Sequence, residues 1–97
     1  MELVGRYCII RAEGAGVFAG TLTEKSGNEV SLVNARRLWY WDGAASLSQL
    51  AVEGVSKPRN CKFTITVPDI TILNVIEIIP CSPVAEANIK AVQEWKA

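Results

Sequence analysis

Two runs of alternating side chains meet at Gly14-Ala15-Gly16, and the second of them meets a third at Ser26-Gly27-Asn28. Alternation with period two, broken by glycine-rich turns, commits a chain to antiparallel strands joined by hairpins. Arg6 to Glu13 reads as the first strand, with Cys8, Ile10 and Ala12 on one face and Tyr7, Ile9 and Arg11 on the other. Val17 to Lys25 reads as the second, with Phe18 and Leu22 opposite Thr21 and Thr23. Gly20 falls on the inner face, which signals strong curvature or a close backbone approach. The third strand starts at Glu29, and its parity breaks at Val33-Asn34-Ala35. A bulge or strand break there would re-aim every side chain that follows.

Past the break, Leu38 and Tyr40 share one side and Arg37, Trp39 and Trp41 the other. Asp42 is placed to cap a short helix from about Ala44 to Glu53, with Gly54 as its left-handed stop. Leu47, Leu50 and Ala51 form its inward stripe. After a polar loop, Cys61 to Val67 gives the cleanest alternation in the chain, and Pro68-Asp69 is the turn that ends it. Ile70 to Ile79 is apolar on both faces, so it is either a central strand or one covered by a second copy of the protein. Ser82-Pro83 opens a last helix over Val84 to Lys96, in which Ala85, Ile89, Val92 and Trp95 recur at helical spacing with Trp95 as a packing anchor.

Ninety-seven residues, nearly half of them apolar, make one domain spanning 1–97. The expected fold is mainly β with minor α: a small five-stranded SH3-like or Sm-like partial barrel, with one short helix between strands three and four and a helix at the C-terminus. Gly20-Thr-Leu followed by Asn28-Glu-Val-Ser-Leu is similar to the second and third strands of Sm-like barrels, which bears on fold and not on function.

Composition closes several functional classes. Ten basic and ten acidic residues cancel, which disfavours nucleic-acid binding by phosphate neutralisation. Histidine is absent, removing the usual Ser-His-Asp and Cys-His catalysts and most zinc enzymes. The carboxylates are scattered singly, and no phosphate-binding glycine pattern occurs. Cys8, Cys61 and Cys81 are odd in number and widely spaced within apolar runs, so they read as buried free thiols and not as a disulfide framework or metal site. The N-terminus lacks the features of a signal peptide, and no apolar run reaches the ~20 residues that span a bilayer. A cytoplasmic protein without membrane contact, catalytic residue, metal or cofactor is expected.

One stretch stands apart. Asn34-Ala-Arg-Arg-Leu-Trp-Tyr-Trp puts two arginines, two tryptophans and a tyrosine into eight residues. Guanidinium forks bind carboxylates and phosphates at two points, and flat aromatic faces stack on planar rings. The candidate ligand-binding residues are therefore Arg36 and Arg37 for an anion and Trp39, Tyr40 and Trp41 for a ring. Asn34, Ser46 and Ser48 would supply orienting hydrogen bonds. Together with Gly43-Ala-Ala-Ser-Leu-Ser-Gln-Leu-Ala, Lys57-Pro, Cys61-Lys-Phe and Val75-Ile-Glu-Ile-Ile-Pro-Cys, this motif resembles a family of short tailed-phage and prophage proteins. The resemblance implies an accessory role, such as counter-defence by sequestering a nucleotide signal. The leading expectation is a homo-oligomer that binds a small anionic, nucleotide-derived ligand without turnover. Two alternatives stay open: a protein–protein adaptor or inhibitor using the same cluster as its interface, and a small hydrolase of a nucleotide signal.

Overall fold

The computed structural model describes residues 2–97. Strands β1 (Tyr7–Ala12), β2 (Gly16–Ser26) and β3 (Glu29–Tyr40) form the antiparallel meander that the glycine turns predict. Helix α1 (Leu47–Glu53) and a 3-10 turn (Pro58–Asn60) follow. The chain then runs through β4 (Lys62–Phe63), β5 (Val67–Ile72), β6 (Val75–Pro80) and helix α2 (Pro83–Ala91). The strand order is β4-β3-β2-β1-β6, and β5 lies beside the first half of β3 while β4 lies beside its end. The domain is mainly β, and its sheet stays open between the outer strands.

Both faces of the sheet are covered. On one, Tyr7, Ile9, Leu38 and Phe63 pack against Leu50 and Ala51 of α1 and Ala85 and Ile89 of α2. On the other, Cys8, Ile10, Phe18, Leu22, Leu32 and Ile72 form a second core. Each fully buried large apolar side chain contributes about 1.5–3 kcal/mol, so the two cores share the work of holding a short chain together. Strand β1, buried on both faces, joins them.

The break in β3 lies where the sequence places it. Asn34 adopts φ 51°, a left-handed conformation that asparagine tolerates better than most residues. Around it the β2–β3 register jumps from Thr21↔Val33 to Ala19↔Arg36. Gly20 lies in that gap, and a Cβ on it would stand 2.7 Å from the Ala35 Cβ and 2.9 Å from its Cα. The close approach needs glycine.

Elsewhere the structure corrects the sequence reading. Six strands occur among the described residues, because the predicted fourth and fifth strands are redrawn as three. The alternation over Cys61–Val67 yields only β4, and Pro68 lies inside β5 and not in a turn. Strand β5 pairs with β3 alone, and an end strand tolerates proline. The apolar run Ile70–Ile79 is interrupted by Leu73 and Asn74, the latter at φ 57°, so its halves pair with different strands. Ser46, not Asp42, caps α1 by accepting from the Gln49 N–H at 3.1 Å. The Asp42 carboxylate instead accepts from Asn60. Gly54 ends α1 at φ 79° and Ser82 caps α2, both as expected. Helix α2 stops at Ala91, well before the predicted Lys96.

Candidate functional site

The two neighbouring arginines have opposite fates. Arg36 follows the bulge inward and is 3% exposed. Its Nε donates to Thr64 O at 3.0 Å and its Nη2 to Phe63 O at 3.1 Å. Its Nη1 donates to Ile89 O at 2.9 Å and to Val92 O at 2.8 Å. The guanidinium also lies 5.6 Å from the Phe63 ring centre. Burial lowers its pKa, partly offset by Tyr7 and Glu94. The expectation that Arg36 meets a ligand is thereby corrected, since four backbone carbonyls already take its donors.

Arg37 points outward. Its guanidinium rests 4.7 Å above the Phe18 ring, and its backbone is fixed to Thr64 through N–H to Oγ1 (2.9 Å) and O to N–H (3.0 Å). Two residues on, Trp39 is 63% exposed. Trp95, 47% exposed, lies with its ring 3° from parallel to that of Trp39 and the centroids 6.4 Å apart. Lys62 Nζ stands 5.5 Å from the Trp95 ring. Arg37, Trp39, Thr64 and Trp95 join Gly14 and Ala15 around an open hollow of about 520 Å3. A second hollow of about 440 Å3 shares Arg37, Gly14 and Ala15 and extends to Leu73 and Asn74. No carboxylate lines the first, although Glu13 lines the second.

The other candidates lie apart from this hollow. A second register shift, between Leu38 and Tyr40 against β4, disturbs the parity again. Trp39 and Tyr40 both face solvent as a result, while Trp41 turns back and packs on the helix-side core. Asn34 is exposed at the bulge, Ser46 is the α1 cap, and Ser48 is exposed on α1. Asn34, Tyr40, Trp41, Ser46 and Ser48 do not line the hollow. Of the eight expected residues, the structure brings Arg37 and Trp39 together there.

Trp95, Thr64 and Lys62 are additions. The sequence held a signal for two of them, because the Cys61–Val67 alternation puts Lys62 and Thr64 outward. For Trp95 helical spacing misleads. Val92 already completes the inward stripe of α2, after which the chain leaves the helix and runs beside β4. The three cysteines are buried and free, as expected. Burial, with smaller contributions from Cys8 and Glu86, pushes the Cys81 thiol up to about 12, and burial also raises Cys8. Among the described residues no cluster suited to a metal ion occurs, and no helix is long and apolar enough to cross a membrane.

Fold and surface together define a small, mainly β domain that exposes a cluster of cationic and aromatic side chains beside an open sheet. The chain belongs to the family described as domain of unknown function DUF6948, whose model matches residues 5–89. Arg37 and Trp39 lie within that match and Trp95 beyond it. No curated protein and no solved structure matches the chain.

Proposed function

We propose that the protein captures a small anionic, nucleotide-derived ligand in the hollow beside Arg37 and holds it without turnover. The observation that carries this reading is the convergence of one outward guanidinium and two near-parallel indoles on a single concave surface. The Arg37 fork would take a phosphate, the indole faces a base, and Lys62 a second negative charge.

Stacking on an aromatic side chain contributes about 1–3 kcal/mol per base, and a charge-assisted hydrogen bond about 1.5–3 kcal/mol. Contacts of that number suit micromolar binding, near −8 kcal/mol, and tighter capture requires the open side to be closed. Leu73 is exposed beside the adjoining hollow, so self-association over that turn would enclose the ligand. On this reading the protein is a phage-type accessory factor of the host cytoplasm, and its ligand a nucleotide signal of host defence. The motif from Asn34 to Trp41, which resembles tailed-phage proteins, supports that context.

A second reading rests on the exposure of Trp39, Tyr40 and Trp95, a set suited to the hot spot of a protein interface. Native mass spectrometry of the protein purified from its host separates the two. Excess mass of a few hundred daltons, lost in Arg37→Ala, is the expected result. A stoichiometric protein partner in place of a small molecule would overturn the ligand reading.

A further inference from the structure

We infer that Arg36 is the positioning residue of this site, fixing the C-terminal segment so that Trp95 stands parallel to Trp39 in the wall of the hollow. The role deepens the binding reading above, but its physical content can be measured with no ligand present.

Trp39 and Arg37 belong to β3, whereas Trp95 lies four residues beyond the end of α2. A side chain at that position has no helix to aim it. What aims it is a set of carbonyls gathered by one guanidinium. Ile89 O and Val92 O mark the place where α2 gives way to the final segment, and both accept from Arg36 Nη1. Phe63 O accepts from Arg36 Nη2 and also from the Trp95 N–H, at 2.8 Å. Arg36 and the Trp95 backbone therefore hang on the same oxygen. Thr64 O, held by Arg36 Nε, belongs to the residue whose side chain lines the hollow and anchors Arg37.

The geometry of the fork matters here. A guanidinium presents its N–H groups in one rigid plane, so strand β4 and the exit of α2 are registered against each other. An ammonium is a compact point charge with rotatable donors, and it cannot hold both pairs of carbonyls in that fixed plane. No carboxylate pairs with Arg36 within ion-pair distance among the described residues. Its four hydrogen bonds all go to backbone carbonyls, as suits a group that sets the course of the chain. Glu94 adds a peripheral tie by accepting from the Thr66 N–H at 3.2 Å. The consecutive arginines thus divide between two faces of one strand, one gathering the frame and the other meeting solvent.

The test is NMR of Arg36→Lys against wild type, with Trp95→Phe as the control for assigning the indole signals. The inference predicts that Arg36→Lys keeps the amide pattern of β1, β2 and α1. It should lose the cross-relaxation between the Trp39 and Trp95 rings, and the Trp95 indole signals should shift away from their wild-type positions. A merely supporting role would weaken the whole domain without singling out Trp95. A folded Arg36→Lys that retains the ring contact overturns the inference. Should that variant fail to fold, hydrogen exchange of the wild type decides. The Arg36 guanidinium protons must be protected to within about tenfold of the Trp95 amide, and their exchange at the rate of a free side chain overturns the proposal. Loss of the clasp with ligand binding intact would sink the Arg36 assignment and leave the binding reading standing. Failure of every ligand with the clasp intact would do the reverse.

Discussion

Arg36→Met removes every donor of the buried guanidinium and keeps an unbranched chain that can fill its space. Four carbonyls lose the partner described above, but they do not lose equally. Phe63 O still accepts from Trp95 and Ile89 O from Val92, at 2.8 and 3.3 Å. Thr64 O and Val92 O depend on Arg36. An acceptor left unsatisfied in the interior costs about 1–3 kcal/mol, so two cost about 2–6 kcal/mol. Relief from burying a cation offsets part of this, and a net loss of about 3 kcal/mol is expected. At roughly 4–8 °C per kcal/mol for a domain of this size, the melting temperature falls by about 12–24 °C. A domain with only ~5–15 kcal/mol in hand would remain folded in the cold and become fragile near body temperature. Urea unfolding followed by circular dichroism measures the loss directly. A methionine variant as stable as wild type would refute the reasoning, showing that desolvation of the cation cancels its hydrogen bonds.

Two further outcomes follow from the same structure. Gly20→Ala forces a methyl group against the backbone of Ala35, which cannot swing aside as a flexible side chain would. It should cost about 1–3 kcal/mol in chemical denaturation, and a neutral result would mean that the bulge gives way easily. Stability should also fall in alkali. Burial raises Tyr7, Cys8 and Cys81 in the folded state, so the unfolded chain loses these protons first. That contribution is fully present below the ordinary thiol range near pH 9.0 and is lost as pH rises toward about 12, where Cys81 titrates. The urea midpoint should hold level from about pH 6 to 8 and decline beyond about 9, and a level midpoint to about pH 11 would contradict the assignment.

What the sequence conveys well is local. Glycine turns foretell the meander, the lost parity at Val33-Asn34-Ala35 foretells the bulge, and Ser82-Pro83 foretells the start of α2. Gly20 announces a close approach that the structure then shows against Ala35. Several of the failures share one physical cause, because they turn on bonds between distant segments. Arg36 reaches residues 27 to 56 positions away, and no period-two or helical pattern registers such a reach. Its hold on Phe63 and Thr64 accompanies the early end of β4, and its hold on Ile89 and Val92 accompanies the early end of α2. The density of Arg and Trp in β3 is visible from sequence. Which arginine turns outward depends on the bulge, and which tryptophan joins it depends on a second register shift opposite β4. Leu73-Asn74 hides its turn for a different reason, since asparagine supplies the left-handed residue where glycine or proline would have announced it.

The central claim is that Arg37, Trp39 and Trp95 act together on one anionic, planar ligand. Isothermal calorimetry against a panel of cyclic nucleotides and ADP-ribose derivatives tests it most directly, with Arg37→Ala, Trp39→Ala and Trp95→Ala beside the wild type and Ser48→Ala as a control outside the hollow. The account predicts micromolar or tighter binding of at least one compound, weakened about tenfold or more by each of the three substitutions and unchanged by the control, as expected from ~1.4 kcal/mol or more per lost contact. Binding that survives all three substitutions, or no heat with any compound, would contradict it.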